Sequence, residues 1–486
     1  MSSLRKTALS GMVWTFIQQA SSQGIAFIVS IILARLLLPS EFGLIALLSV
    51  FIAVGTTLIN SGLSLSLIRT KEVDDDDYST VFYFNLIISV VIYLIIFLTA
   101  PYIAHFYNQP QLTSITRVYT ITFVINALAV VQNTRLTKEM DFKKQTIISI
   151  PSLIISGCVG IFLALNNFGV WSLVWSTLVK DCANVIQLWW WSPWKPLLRF
   201  KVEKIKQHFI FGYKMTIANV VDTIFQDIYT IVIGKFFDPT QVGFYNRANT
   251  LRMLPIRNFG SVLNKVTFPL FSQIQHDDER LKNAYKKIMQ MSVFIVAPVL
   301  FIMAILAEPL FRFLLTEKWL PAVPYFQLLC IAGVFYPINA YNLNILTVKG
   351  RSDLFLKLSI VKKILILLVV IIGMNWGIYG ILFGQLFMSI IGIFFNGYFT
   401  GKLINYTVFE QIKDISLLLV VCFIPAVLTF YFDKVFLINY HDIIRLVVGA
   451  TSGFICFLFL AILFKLNSYF ELKSILLKKN EFPWKK

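Results

Sequence analysis

The chain has 486 residues, of which 57% are hydrophobic and only 14% are charged, and its formal net charge is +18. An average soluble domain carries about 25% charged residues, so this composition excludes a water-soluble globular protein. The Lys and Arg residues are spread over short segments between apolar stretches. Because no folded domain carries them as a basic face, we predict no nucleic-acid partner.

Apolar stretches of roughly twenty residues, the length that crosses a hydrocarbon core as a helix, recur along the chain. They contain Pro and Gly and lack the alternating pattern of membrane strands, which favours helices. The predicted fold class is therefore all-α, a polytopic membrane protein of about fourteen transmembrane helices. The predicted spans are 11–34, 42–66, 80–102, 115–133, 146–166, 169–190, 208–234, 243–275, 288–314, 321–347, 353–374, 376–399, 412–432 and 443–464.

The distribution of basic residues predicts the orientation, because cytoplasmic loops carry an excess of Lys and Arg. A cytoplasmic N-terminus places 30 of the 43 basic residues on the cytoplasmic side, counted with the adjoining span ends, and 7 outside. The residues left outside are Arg35, Arg117, Lys235, Arg247, Arg312, Lys318 and Lys434. This asymmetry predicts that both termini are cytoplasmic and that the number of spans is even.

An internal repeat organises the spans. The segment "ARLLLPSEFGL" (34–44) aligns with "GKFFDPTQVGF" (234–244), which pairs Arg35 with Lys235, Pro39 with Pro239 and Gly43 with Gly243. A second match aligns "NFGVWSLVWSTLV" (167–179) with "NWGIYGILFGQLF" (375–387). We predict two six-helix lobes that enter the membrane from the same side, a parallel repeat. The predicted domains are a first lobe at 1–200, a second lobe at 201–400, and two additional transmembrane helices with a basic tail at 401–486.

Two charged segments lie between spans. The segment "RFKVEKIKQHF" (199–209) places apolar residues on one helical face, which is typical of an interfacial helix and predicts such a helix between the lobes. Four consecutive carboxylates, Asp74 to Asp77, fall in the first cytoplasmic loop. No spaced set of oxygen ligands follows them, so we interpret them as a solvated loop rather than a cation site.

Four blocks resemble the polysaccharide flippases of the multidrug/oligosaccharidyl-lipid/polysaccharide exporter superfamily, in particular the colanic-acid and teichuronic-acid exporter branch. The blocks are "LARLLLPSEFGLIAL" (33–47), "GLSLSLIRTKEVDDDDYSTVFYFNL" (62–86), "TFPLFSQIQHDDERLKNAY" (267–285) and "EKWLPAVPYFQLLCIAGVFYPI" (317–338). The resemblance implies alternating-access transport of an undecaprenyl-pyrophosphate-linked oligosaccharide to the periplasmic leaflet, for exopolysaccharide, O-antigen or capsule biosynthesis. It also implies the bacterial inner membrane as location, the lipid bilayer as surroundings, and polysaccharide polymerase machinery as a further partner.

Charges inside a membrane are costly, so intramembrane cations are candidates for contact with a pyrophosphate. In the eighth span the repeat maps Arg257 onto Thr57, which places Arg257 near the midplane. Guanidinium groups suit phosphate oxygens, and we predict that Arg257, with Arg252 above it, contacts the pyrophosphate. Ser261 and Asn264 follow on the face of Arg257 and are predicted to meet sugar hydroxyls. The alternative for either arginine is that its side chain extends to the membrane interface.

The seventh span carries a polar stripe that predicts a face turned to a cavity or to another helix. Its members are Lys214, Ala218, Asp222, Gln226 and Tyr229. Lys214 joins the predicted substrate-binding set. Asp222 either couples transport to an ion or forms a plain interhelical ion pair, and both readings stay open.

The first span has a weaker polar stripe, with Gln18 and Gln19 at the positions that match Ala218 and Asn219. Hydrogen bonding to a glycan and simple helix packing are equally compatible with it. We predict no catalytic residue, no metal and no cofactor, and we leave coupling to H⁺ or Na⁺ open.

Three other functions are alternatives for a polytopic membrane protein of this kind. A membrane polysaccharide polymerase or ligase would need a substantial periplasmic loop to present reacting groups, and the predicted outer loops are short, so we expect no enzyme. A drug/cation antiporter of the same superfamily would line its cavity with carboxylates, where this chain has Arg252, Arg257 and Lys214. A peptidoglycan-precursor flippase also handles a prenyl pyrophosphate, but the four blocks fit the exopolysaccharide branch better.

Overall fold

A computed structural model describes residues 2–60 and 62–477, and within these ranges the chain forms helices and turns without a β-strand. The helices are α1 (Ser2–Leu36), α2 (Pro39–Asn60), α3 (Leu63–Arg69), α4 (Asp75–Phe106), α5 (Leu112–Tyr119), α6 (Ile121–Lys138), α7 (Phe142–Leu165), α8 (Val170–Trp191), α9 (Val202–Gln226), α10 (Ile228–Phe236), α11 (Pro239–Gln273), α12 (Asp278–Ile305), α13 (Ala307–Leu315), α14 (Val323–Val334), α15 (Tyr336–Val348), α16 (Ser352–Gly373), α17 (Gly377–Ile404), α18 (Val408–Phe432), α19 (Asp442–Leu463) and α20 (Asn467–Leu477).

Every predicted span coincides with one of these helices or with consecutive helices separated by a short break. In the described ranges, nine helical segments are long and apolar enough to cross a membrane, or ten if the bent pair α9–α10 is one span. The all-α, multi-pass membrane fold is therefore confirmed. Four helices at predicted spans, α8, α11, α16 and α17, are not among these segments, and each contains at least one charged residue. The number fourteen stays a prediction.

The breaks within spans have local causes. Gly62, which precedes α3, has a φ of 70°, a left-handed conformation that Gly adopts without steric cost. The break between α14 and α15 lies at Phe335, where Pro337 occupies the first turn of the new helix and lacks an N–H to continue the old one. Helices α9 and α10 meet at Asp227 with a bend of 48°.

The packing divides the chain into two compact units, Met1–Gly243 and Phe244–Lys486. In the first unit α1 packs on α7, α7 on α8, and α9 against α2, α3 and α4. In the second unit α12 packs against both α14 and α18, and α16 packs on α17. Helices α9 and α10 thus belong to the first unit. The lobe boundary at 200 remains a prediction from the repeat.

The run Asp74–Asp77 does not form a solvated loop, contrary to the sequence interpretation. Asp74 caps α4, and the other three carboxylates fill its first turn. The Asp77 N–H donates to Asp74 Oδ1 at 2.7 Å, and the Asp74 N–H donates to Asp77 Oδ2 at 3.2 Å. Carboxylates are favoured there because they satisfy free N–H groups and oppose the positive end of the helix dipole.

This acidic turn holds the segment that joins α8 to α9. Trp194 is buried, and its Nε1–H donates to Asp75 Oδ1 at 3.1 Å. Lys201 forms an ion pair with Asp76. Backbone N–H groups of the same segment donate to the hydroxyls of Ser79 and Thr80 in α4. The joining segment, residues 192–201, is therefore packed onto α4. Most of the predicted interfacial helix at 199–209 is the first part of α9, which begins at Val202, rather than a separate helix.

The first turn of α9 adds a further ion pair to the same site. Lys204 Nζ lies 3.0 Å from Asp77 Oδ2 and 3.3 Å from Asp74 Oδ2. The backbone N–H of Asp77 holds the pKa of Asp74 below its usual range, and hydrogen bonding to Asp77 raises the pKa of Lys204. From this anchor α9 runs unbroken from Val202 to Gln226.

Within the second unit, buried polar contacts hold the C-terminal helices α18 and α19. Asn342 Nδ2 of α15 donates to Gln411 Oε1 of α18 at 3.0 Å, and both residues are wholly buried. Arg445 and Asp433 form a buried two-point ion pair with distances of 2.9 and 2.6 Å. Paired geometry is what allows such charges to be buried, because either one alone would carry a large desolvation penalty.

Candidate functional site

Helix α11 carries three arginines at intervals of five residues, Arg247, Arg252 and Arg257. Five residues correspond to about 140° of rotation around a helix, so the three side chains leave it in different directions. Arg252 therefore lies about one and a half turns before Arg257 along α11 and on a different face. Its predicted position above Arg257, toward the outer side, stays a prediction. Each arginine has different surroundings in the second unit.

Arg247 is a packing residue. It is 7% exposed, and its guanidinium lies 5.5 Å from the ring centre of the fully buried Trp319. A cation over an indole face is stabilised by the ring quadrupole. Arg247 lies inside the predicted span 243–275, close to its start, and its repeat counterpart Leu47 lies inside α2 in the same way. Its predicted place on the outer side of the membrane stays a prediction.

Arg252 connects α11 to α14. Its Nη1 donates to the Leu329 carbonyl at 3.2 Å, and its Nη2 donates to Asn249 Oδ1 at 2.7 Å. Gly333 of α14 makes room for this side chain, since a Cβ there would lie 3.3 Å from Arg252 Cδ. These contacts are those of a residue that holds two helices together. Contact between Arg252 and a substrate stays a prediction.

Arg257 is the arginine of α11 whose side chain is exposed. Among the described side chains none forms a hydrogen bond or ion pair with it. A guanidinium inside a membrane protein requires water or an anion, because an unpaired charge in hydrocarbon is strongly disfavoured. Arg257 thus has the availability that a phosphate ligand requires.

Three other predicted substrate residues fall where side chains are not described. Ser261 and Asn264 lie on α11 and Lys214 lies on α9. Their positions on these helices agree with the predicted spans. Their side chains lie outside the described part of the structure, and their proposed roles stay predictions.

In the first unit, α9 leaves a polar face exposed. Asn219, Asp222 and Gln226 are all exposed, at a spacing that places them on neighbouring turns. Another face of the helix packs on α2, where Thr223 Oγ1 lies 3.5 Å from Thr57 Oγ1. Of the predicted polar stripe, Ala218, Asp222 and Gln226 therefore lie on the exposed side of α9, whereas Tyr229 follows the bend at Asp227 and is buried in α10.

The two glutamines of α1 that were predicted to contact substrate have different surroundings. Gln18 Nε2 donates to Ser149 Oγ of α7 at 3.4 Å, a helix-packing contact. Gln19 is exposed, as is Gln23 one turn later. The sequence left open whether these glutamines bind a glycan or pack between helices. Gln18 makes a helix-packing contact, whereas the amide of Gln19 is accessible.

A buried charge in α8 was missed by sequence reasoning. Asp181 is 6% exposed, accepts a hydrogen bond from Asn126 Nδ2 of α6 at 2.9 Å, and lies 3.2 Å from Lys180 Nζ. Asp181, like Arg257, is a charge inside an apolar span and could have been singled out for the same reason. The partners of Asp181 show that it connects α8 to α6. In the described ranges no three His, Cys, Asp or Glu side chains gather as a metal site would require.

Comparison with known proteins identifies the family. Residues 32–324, more than half of the chain, match the family described as "Polysaccharide biosynthesis protein". The chain is 24% identical over 396 residues to the lipopolysaccharide biosynthesis protein WzxC of Escherichia coli (strain K12), covering 80% of each protein. It is 26% identical over 337 residues to the succinoglycan biosynthesis transport protein ExoT of Rhizobium meliloti (strain 1021), covering 69% of this chain and 68% of that one.

A solved structure shares the fold. The Lipid II flippase MurJ in an inward closed conformation superposes with a TM-score of 0.72 over 94% of this chain and 99% of that one, at 12% identity. Such low identity shows a common fold alone. The resemblance seen in the four sequence blocks is confirmed by the family match and the relatives. The chain is an all-α, multi-pass membrane protein that belongs to the polysaccharide biosynthesis protein family.

Proposed function

We propose that the protein is a flippase that moves undecaprenyl-pyrophosphate-linked oligosaccharide units from the cytoplasmic leaflet to the outer leaflet of the bacterial inner membrane. Both termini lie in the cytoplasm in this proposal. The observation that carries it is the exposed guanidinium of Arg257 on the 35-residue helix α11 of a membrane protein in this family. The names of the relatives, which describe polysaccharide biosynthesis and transport, support the same cargo class.

The chemical problem of such a cargo is its pyrophosphate. Two phosphates carry negative charge into a region where charge is strongly disfavoured. A guanidinium can donate two parallel hydrogen bonds to phosphate oxygens, and it stays protonated at any physiological pH. Arg257 would therefore compensate the cargo charge throughout the cycle, while the prenyl chain remains in lipid.

The glycan part of the cargo requires neutral hydrogen-bonding groups. Gln19 on α1 and Asn219 and Gln226 on α9 are exposed amides, each with donors and an acceptor for sugar hydroxyls. An uncharged amide binds hydroxyl groups by hydrogen bonds, so its binding does not depend on the charge of the sugar. The same surfaces would thus accept repeat units of different composition. Gln18, Lys214, Ser261 and Asn264 stand as further candidates for contact.

Asp222 supplies a candidate for energy coupling. It is an exposed carboxylate on α9, one turn before the bend at Asp227. In the proposal, uptake of H⁺ or Na⁺ by Asp222 changes the charge of this face and biases the bend. No bond-making step is assigned to the chain, and polymerase machinery would act on the delivered units.

The test is the location of the lipid-linked repeat unit in a strain that lacks the gene. A membrane-impermeant glycan-modifying enzyme reports whether the unit is in the outer leaflet. We expect units that are protected in the deletion strain and become accessible when the wild-type gene is restored. Unpolymerised units already accessible in the deletion strain would identify a later polymerase or ligase step and contradict flipping.

A further inference from the structure

The repeated Pro-x-x-x-Gly motif brings its two copies into contact. Pro39 is the first residue of α2 and Pro239 is the first residue of α11, and each is followed four residues later by a glycine. All of these residues, through Gly243, belong to the first compact unit. Within that unit Gly43 faces Pro239, and Gly243 faces Pro39.

The contact is made by backbone atoms on both sides. A Cβ added to Gly43 would overlap the carbonyl oxygen of Pro239 and lie 2.6 Å from its carbonyl carbon. A Cβ added to Gly243 would overlap the carbonyl oxygen of Pro39 and lie 2.8 Å from its carbonyl carbon. Real Cβ atoms essentially never approach other atoms within 3.0 Å. Any residue other than Gly at either position would therefore push the two turns apart.

The reciprocity distinguishes this contact from ordinary glycine packing. Gly373 and Gly380 also exclude a Cβ against each other, but they lie on consecutive helices joined by a tight turn. The two Pro-x-x-x-Gly turns are separated by most of the first unit in sequence. Small residues that allow backbones to touch are a known means by which membrane helices associate closely.

The two turns are held in shape by local hydrogen bonds. Asp238 Oδ1 accepts from the N–H groups of Thr240 and Gln241 at 2.8 and 3.2 Å. Glu41 Oε2 accepts from the Leu38 N–H at 2.6 Å. Pro at the first position of each helix fixes the entering backbone. Closely packed contacts of this kind are generally bistable rather than continuously deformable.

We propose that this reciprocal glycine contact is a gate on the outer side of the membrane, which must separate for the transport pathway to open outward. The inference rests on the proposed flippase function and on the predicted outer location of Arg35 and Lys235, which precede the two turns. Packed contacts with two discrete arrangements are the elements through which transporters switch state. Gly43 and Gly243 are the residues that allow the closed arrangement.

The test introduces one methyl group at the contact. Gly43→Ala and Gly243→Ala are compared with Gly24→Ala on α1, where an added Cβ meets nothing within 4 Å. Opening is measured with a membrane-impermeant maleimide, applied from outside to a single cysteine at Asn219→Cys in a cysteine-free background. Transport is measured separately as polysaccharide export in the otherwise native chain.

We expect both contact variants to raise outside labelling several-fold and to reduce export, and Gly24→Ala to leave both unchanged. Unchanged labelling in folded contact variants would overturn the gate, whether or not export falls. The labelling does not depend on any cargo. If labelling rises as expected but the lipid-linked glycan proves not to be the cargo, the gate stands and the proposed function fails.

A second measurement covers the case in which the alanine variants do not fold. In a cysteine-free background, Ser40→Cys and Thr240→Cys follow the two prolines and are joined by a short bifunctional methanethiosulfonate, which a reductant later removes. We expect joining to stop export, and reduction to restore it. Full export by the joined protein would show that the two turns need not separate and would overturn the proposal.

Discussion

Helices α2 and α11 occupy equivalent places in the repeat, and their side chains differ in kind. Where α2 has Leu47, Ile52 and Thr57, α11 has Arg247, Arg252 and Arg257. Leu47 is buried and fills the space left by Gly234. Ile52 packs on an apolar cluster, and the Thr57 hydroxyl donates to its own helix at Ala53. At all three positions of α2, the side chain has a packing or hydrogen-bonding partner within the first unit.

The repeat preserves the backbone of α2 and α11, including the Pro and Gly at the start of each helix, while the chemistry of the side chains differs between the two helices. In α11, packing uses Arg247 against Trp319 and Arg252 against α14. Arg257 is exposed. Function is therefore expected to follow the charge that packing leaves available, rather than every charge in the membrane.

The largest effect is expected from Arg257→Ala. Charge-assisted hydrogen bonds are worth about 1.5–3 kcal/mol, which corresponds to roughly tenfold or more in binding. We expect export of surface polysaccharide to fall at least about tenfold by this reasoning, with normal amounts of protein in the membrane. Thr57→Ala, the matched position in α2, should leave export near wild type. Normal polymer in the Arg257 variant would end its assignment as the phosphate contact.

A smaller effect is expected from Asp222→Asn, which removes the charge and keeps the shape of the side chain. Export should persist but lose part of its dependence on pH or membrane potential. Ser22→Ala on α1 is the matched change in the first copy of the repeat and should leave that dependence intact. The measurement is transport in vesicles under imposed gradients, and an unaltered dependence would make Asp222 structural.

Arg252→Met separates packing from substrate contact. Loss of the hydrogen bonds to Leu329 and Asn249 should destabilise the protein by about 1–3 kcal/mol, seen as a lower Tm in detergent, while part of the export remains. Ile52→Met, a near volume-conserving change at the matched position, should cost less than about 1.5 kcal/mol. An unchanged Tm with abolished export would restore Arg252 as a substrate contact.

The smallest effect is expected at the first turn of α9. Lys204→Gln should lower stability by about 0.5–1 kcal/mol, because the pair with Asp74 and Asp77 is partly screened by solvent. The pKa of Asp74 lies below 3.8 and that of Lys204 above 10.5. The pair therefore contributes between these values, and the difference between wild type and variant should shrink below pH 3.8 and above pH 10.5. A difference that varies between pH 6 and 8 would implicate another group.

The positions of the helices could be predicted from the sequence because the membrane imposes both length and apolar composition on a span. The family could be predicted from a few blocks of residues. The bend at Asp227 could not, since no Pro or Gly marks it. The role of Asp74–Asp77 could not, because its partners Lys201 and Lys204 are distant in sequence and meet it only in the fold.

The candidate site was predicted less completely for a similar reason. A charge inside a span is visible in the sequence, but the direction in which its side chain leaves the helix depends on neighbouring helices. Arg252 and Gln18 are turned toward packing partners, Leu329 and Ser149, that no local pattern identifies. Helical rotation, at about 100° per residue, places Arg252 and Arg257 on different faces, but it does not say which face meets a neighbouring helix.

The most direct test of the central claim uses purified protein in liposomes that contain a prenyl-pyrophosphate-linked oligosaccharide. An impermeant glycan-cleaving enzyme added outside measures the rate at which inner-leaflet units become accessible. We predict rapid exposure with the wild-type protein and with Thr57→Ala, and a rate at least about tenfold lower with Arg257→Ala. Equal rates for the wild-type protein and protein-free liposomes would contradict flipping, and equal rates for wild type and Arg257→Ala would contradict the role assigned to α11.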